Sequence, residues 1–181
     1  MLIFDGTKTS ERLRSINYRP VLVQEFIAGV DIGASVYARA GRIEAFIAHR
    51  FWHQVYSTFA SDDVFSEIAK VVKYHSLDGV YNFDMRLTPE GKVYFLECNP
   101  RFFFKIDLSM MAGLNFVEWG LAPPARECAP TVVSGVKVRL PKALAYSLLT
   151  SGRCSLRDWR AATYLWRDPL PCQLEKLRLT V

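Results

Sequence analysis

Apolar and polar positions alternate through much of the first hundred residues, and the period changes once. Residues 1–20 are polar and show no core of their own. Val21 to Ile27 is a β-rich run that stops at Ala28-Gly29. Ile32–Ala40 and Arg42–Arg50 are two more such runs, divided by Gly41, and predict a hairpin turning at Ala40-Gly41-Arg42. Between Ser61 and Leu77 the spacing becomes helical, with Val64, Phe65, Ile68, Val71 and Val72 on one stripe and Asp62 and Asp63 suited to a first turn. Val80–Leu87 and Lys92–Cys98 return to alternation as a second strand pair.

Beyond them Asp107–Leu121 reads as one helix, and Ala122-Pro-Pro-Ala125 opens a linker. Val132–Leu140 reads as a strand, and Pro141 starts a helix running to about Leu149, with Gly152 as its stop. Ser155 is placed to cap a last helix, Leu156–Trp166. Strands, helix, strands, helix and a helical tail predict an α+β fold: an antiparallel sheet with packed helices. The expected organisation is a lead-in over 1–20, a body over 21–121, and a linker with a basic, mostly helical tail over 122–181.

The second strand pair carries the candidate chemistry. Thr88-Pro89-Glu90-Gly91 fits a type I turn. Tyr81, Phe83, Met85 and Leu87 then share one face, with Asn82, Asp84 and Arg86 on the other. On the return strand Tyr94, Leu96 and Cys98 share a face, and Val93, Phe95, Glu97 and Asn99 share the opposite one. The turn by itself also permits a three-residue loop. Pairing Asp84 with Glu97, across a loop of residues 89–92, puts apolar face beside apolar face, whereas a one-residue slip mixes them.

That register gathers Asp84, Arg86, Glu97 and Asn99 on one side. Carboxylates about 5 Å apart repel unless one is protonated or a cation lies between them. Oxygen donors on rigid strands suit Mg²⁺, which completes its shell with water and phosphates. Arg101, just past Pro100, is placed to hold an anion beside it. An ordinary polar face is the competing reading; the concentration of these groups at the ends of apolar strands speaks against it. Arg50, which follows a strand, could reach a phosphate. His49 and His53 flank it and read as packing residues, while Trp52 and Phe102–Phe104 read as core or pocket wall.

Composition narrows the class. A chain of 181 residues, half of them hydrophobic, is large enough for a real core, which argues against intrinsic disorder. No apolar run reaches membrane-span length and the N-terminus has no secretory apolar stretch, so a cytoplasmic protein is expected. Cys98, Cys128, Cys154 and Cys172 form no C-x-x-C pair and are expected as reduced thiols. The formal charge of +5 is uneven, because residues from Arg126 onward hold 10 basic and 4 acidic side chains. Such a tail admits nucleic acid or an acidic partner, but a solvated helical face is the plainer reading and nucleic-acid binding is not expected.

Phe83-Asp-Met-Arg86, then Gly91, then Phe95-Leu-Glu-Cys-Asn-Pro-Arg101 resembles the metal-binding signature of the ATP-grasp superfamily, in which an acid on one strand and E-x-N-x-R on the next hold magnesium and nucleotide phosphates. Gly113-Leu-Asn115 resembles the continuation of that signature. Val23-Gln-Glu-Phe-Ile27-Ala-Gly29-Val-Asp31 is similar to the family's hinge strand.

The resemblance implies Asp84, Glu97 and Asn99 as metal ligands, with Mg²⁺ as the ion and Mn²⁺ as the alternative. It implies main-chain contacts to adenine at Gln24, Glu25 and Ile27, ribose contacts at Asp31, and Arg101, with Arg86, at the acyl phosphate. The implied activity is carboxylate–amine (or carboxylate–thiol) ligation with ATP and a small carboxylate as substrates. The similarity covers residues 16 to about 120, the C-terminal half of such a domain. The first half, with its phosphate lysine and glycine-rich flap, is then expected from elsewhere, a second polypeptide included. The alternative is a catalytically incomplete module that binds nucleotide or a partner.

Overall fold

The computed structural model describes residues 24–53, 55–103, 106–122, 131–139, 141–152, 154–156 and 158–160, with Arg14, Asn17, Pro20 and Thr163 besides. The strands are β1 (Val30–Arg39), β2 (Arg42–Trp52), β3 (Val55–Phe59), β4 (Gly79–Leu87), β5 (Val93–Asn99), β6 (Thr131–Val133) and β7 (Lys137–Arg139). The helices are α1 (Asp62–Tyr74), α2 (Ile106–Met111), α3 (Phe116–Leu121) and α4 (Pro141–Ser151). One sheet runs in the order β5-β4-β1-β2-β3-β7, antiparallel throughout, and β6 adds to β2 in parallel. The architecture is the α+β one that the alternation implies.

The β1–β2 hairpin turns at Ala40 and Gly41, both at positive φ (46° and 76°), the conformation a two-residue hairpin turn demands. One sheet face buries Val36, Phe46, Phe83 and Met85 under Val64, Ile68 and Val72 of α1. Ser61 caps α1 by accepting from Val64 N–H at 3.3 Å, and Asp62 and Asp63 occupy its first turn. The opposite face packs Tyr37, Ala45 and Ile47 against Leu114 and Phe116. A third cluster, Tyr56, Leu108, Val136 and Val138, closes the far side of that face.

Several expectations change. The helix expected over Asp107–Leu121 is two short ones, because Gly113 at φ 98° ends the first turn run and the Asn115 side chain caps the second by accepting from Val117 and Glu118 N–H. The strand expected over Val132–Leu140 is likewise split around Gly135, giving β6 and β7. β3, which the sequence reading leaves unassigned, completes a hairpin with β2. The expected strand Val21–Ile27 joins no sheet in its described part, Gln24–Ile27. Gly29 lies so close to β4 that a Cβ there would sit 2.4 Å from the Leu87 carbonyl oxygen, and the chain leaves the sheet at that contact.

The linker 123–130 lies outside the described residues, as does most of the expected final helix. Within that last stretch Asp158 is fully buried. It accepts from Arg139 N–H and Nη1 at 2.8 Å each and from Ser155 Oγ at 2.7 Å. One cation of the basic tail, Arg139, is therefore paired with a carboxylate of the tail itself.

Candidate functional site

β4 and β5 pair as Asn82–Asn99, Phe83–Cys98 and Asp84–Glu97, and then the register shifts to Met85–Phe95. The expected pairing of Asp84 with Glu97 is present. The expected run of Phe95 with Glu97 on one face is not, because Leu96 is an extra residue without a partner, a bulge on the edge strand. The physical reason is Phe95. A regular ladder would lay its ring beside Arg86 on the polar face; the bulge turns it to the other face, where it meets Phe83 edge-on at 5.9 Å between centroids while staying 38% exposed. The loop is accordingly residues 88–92, closed by Gly91 N–H to Thr88 O (3.0 Å) and Thr88 N–H to Lys92 O (2.9 Å).

The polar face above the bulge is a connected network. Ser35 Oγ donates to Asn82 Oδ1 at 3.1 Å, Asn82 Nδ2 donates to Asp84 Oδ1 at 3.3 Å, and Asn99 Nδ2 donates to Asp84 Oδ2 at 3.4 Å. Burial raises the Asp84 carboxyl above its ordinary range, and Glu97 pushes the same way, against the pull of Asn82 and Arg101. Arg101 is brought back toward the network by a tight turn in which its N–H donates to Asn99 O at 2.8 Å.

The donor set fits a hard divalent cation. Among the described residues no group of three or more His, Cys, Asp or Glu stands ready for a metal. A cation here would rest on two carboxylates and one neutral oxygen, with water or phosphate for the remainder, which is the usual provision for Mg²⁺. The neutral oxygen belongs to Asn99, whose amide would give up its bond to Asp84 and present oxygen instead.

Arg86 is held elsewhere. Its Nε lies 3.2 Å from Asp31 Oδ1, its Nη2 donates to Gly29 O at 3.3 Å, and its guanidinium lies over the Phe26 ring at 4.9 Å. It clamps the segment Gln24–Asp31 against β4. Gln24 and Glu25 are exposed and Ile27 is half-buried, outside any strand.

Sequence reasoning passed over three residues at this face. Asn82 and Ser35 support Asp84; Asn82 was legible from its alternation with Asp84, while Ser35 sits unremarked in an apolar run. The third is Gly33, Asp84's partner in β1, whose other neighbour across the sheet is His49. His49 is buried between Tyr56 (centroids 4.8 Å) and Phe103 (4.6 Å), and burial lowers its pKa to about 4, so it is neutral. It is a packing residue, as its aromatic neighbourhood suggests, and it ties the segment after Arg101 onto β2 and β3. A glycine inside a strand was the available signal for such close packing.

A family model described as ATP-grasp in the biosynthetic pathway with Ter operon matches residues 17–142. No curated protein matches the chain. Among solved structures it is similar to N5-carboxyaminoimidazole ribonucleotide synthetase from Thermotoga maritima (TM-score 0.50, 15% identity, covering 73% of this chain and 38% of that one). It is also similar to L-amino acid ligase from Bacillus licheniformis (TM-score 0.43, 18% identity, 53% of this chain and 29% of that one). At such identities the likeness is one of fold, and the chain spans well under half the length of either protein.

Proposed function

This chain belongs to the ATP-grasp family, and from that premise we propose that residues 24–103 are the nucleotide- and cation-binding part of a ligase that activates a carboxylate with ATP. Asp84, Glu97 and the amide oxygen of Asn99 hold Mg²⁺, with Mn²⁺ as the substitute. Bound there, the ion supplies positive charge against the phosphates.

The other roles fall to the chain's own groups. The main chain of Gln24, Glu25 and Ile27, unclaimed by the sheet, meets the adenine edge, and Asp31 takes the ribose hydroxyls. Arg86 positions both by clamping Gly29 and Asp31. In the reaction a substrate carboxylate oxygen bonds to the γ-phosphorus while the bond to the bridging oxygen breaks, releasing ADP. An amine or thiol then attacks the acyl carbon and inorganic phosphate leaves. Arg101, beside Asn99, stabilises the acyl-phosphate oxygens.

The observation that carries this reading is Asp84 facing Glu97 across β4 and β5 with Arg101 beside them. Such a pair is costly without a cation and useful with one. Calorimetric titration with Mg-ATP tests it. Binding by the wild-type chain that requires magnesium and disappears in Glu97→Ala is the expected result. Equal affinity in the variant, or no dependence on magnesium, would sink the assignment.

A further inference from the structure

Packing on Tyr56 and Phe103 accounts for the His49 ring but not for its two nitrogens. Nδ1 is buried and has no hydrogen-bond partner among the described residues. The imidazole is neutral, so one of its nitrogens carries the proton and the other a lone pair. A buried N–H without an acceptor is rarer than a buried acceptor without a donor. The proton therefore belongs on Nε2, and Nδ1 is the unpaired acceptor. Nε2 is then a donor, and no group among the described residues accepts from it.

The sheet aims that donor. Gly33 of β1 pairs with His49 on one side and with Asp84 on the other, so the three stand in one row on one face. Because Gly33 has no side chain, the tip of the imidazole comes across β1. Nε2 and Cε1 are the ring atoms nearest the point where a Cβ would stand, at 2.5 and 2.8 Å. Directly opposed Cβ positions are about 5 Å apart, which sets the distance from that point to the Asp84 Cβ. His49 and Asp84 make no direct bond, and a separation of this order is spanned by one oxygen bonded to both. The neighbouring rows frame the gap: Arg86 with Asp31 at 3.2 Å, and Ser35 donating to Asn82 at 3.1 Å. Each of those pairs is matched within itself, which leaves the oxygen to Nε2 and Asp84.

We propose that His49 is a ligand-contacting residue as well as a packing one: its Nε2–H donates to a single oxygen seated between it and Asp84. In the free protein that oxygen is a water, which accepts from Nε2–H and donates to the Asp84 carboxylate. On the proposed function, on which this second step rests, a phosphoryl oxygen of Mg-ATP displaces the water and accepts the same bond. An uncharged donor suits this place, because it holds the oxygen without repelling the cation at Asp84.

Two-bond ¹H–¹⁵N spectra of the full chain test the donor directly. The chain has three histidines, and His49→Phe identifies the signals of the first. Without ligand, the Nε2–H tautomer is expected, with an Nε2 signal that moves in Asp84→Asn. An Nδ1–H tautomer, or an Nε2 signal indifferent to Asp84→Asn, overturns the inference, and neither result involves nucleotide. Titration with Mg-ATP should then move Nε2 saturably while Nδ1 stays in place. By calorimetry, Mg-ATP affinity should fall about tenfold in His49→Phe and recover most of the way in His49→Gln, which keeps an N–H donor. Packing by itself gives the reverse order, since phenylalanine keeps the aromatic contacts that glutamine loses. That reverse order, or an Nε2 signal that stays fixed while calorimetry shows Mg-ATP bound, overturns the inference. A wild-type chain that binds no Mg-ATP removes the function proposed above, and the ligand-free spectra then decide the donor.

Discussion

His49 occupies the space of the side chain that Gly33 lacks: a Cβ on Gly33 would stand 2.5 Å from His49 Nε2. The ring cannot swing aside easily, because Tyr56 and Phe103 hold it on either flank. Gly33→Ala is therefore expected to destabilise the fold by about 1–3 kcal/mol, the usual cost of overpacking a filled site. Urea unfolding measures it. The double variant Gly33→Ala/His49→Ala should recover part of that loss relative to the sum of the single changes. Additive effects would mean that the contact is slack.

The same histidine sets an acid limit. Its pKa falls from 6.5 unfolded to about 4 in the fold, so the unfolded chain binds the extra proton first. Stability from this group is complete above pH 6.5 and is lost as pH drops toward 4, by about 3 kcal/mol at most. Thermal melts between those limits should show the decline, and His49→Phe should flatten it. A wild-type melting temperature constant over that range would contradict a buried neutral imidazole.

Asp84 works in the opposite sense. Its carboxyl is raised, so the folded state holds its proton longer than the unfolded chain does, and stability is lost as pH rises past the ordinary aspartate range. Asp84→Asn removes the charge and should stabilise the chain at neutral pH. Solvent reaches the half-open carboxylate, so the gain is small, on the order of 1 kcal/mol or less. The same change should abolish magnesium-dependent ATP binding. Calorimetry and thermal melts on one sample separate the two effects; loss of stability with loss of binding would mean that Asp84 is structural.

Local periodicity made the core of this arrangement legible. Asp84 opposite Glu97 follows from a two-residue period, a Pro-Gly turn and the cost of mixing faces. The bulge at Leu96 was hidden because it goes with the contact of the Phe95 ring on Phe83, a tertiary preference that alternation does not encode. β3 was missed because its five residues follow the aromatic end of β2 without a Gly or Pro break. Gly113 marked the division between α2 and α3, yet a continuous apolar pattern outweighed it. The resemblance implies a place for Arg86 at the acyl phosphate, and its face puts it beside Asp84. That it clamps Gly29 and Asp31 depends on a contact 57 residues away in sequence.

That clamp gives the last prediction. Arg86 joins three features of the stretch that leads into and begins β1: the Phe26 ring, the Gly29 carbonyl and the Asp31 carboxylate. Asp31 is mostly exposed, so the ion pair by itself contributes little. The planar fork makes all three contacts together, and lysine cannot reproduce it. Arg86→Ala should therefore release residues 24–31 while sparing the centre of β1. Amide hydrogen exchange resolved by peptide is the measurement, with faster exchange expected over 24–31 and little change over 32–38. Arg86→Lys should fall between wild type and alanine, closer to alanine. If nucleotide is held by the main chain of this segment, Mg-ATP affinity should drop with the same ranking, about tenfold for alanine. Unchanged exchange over 24–31 would show that the segment is held by contacts other than Arg86.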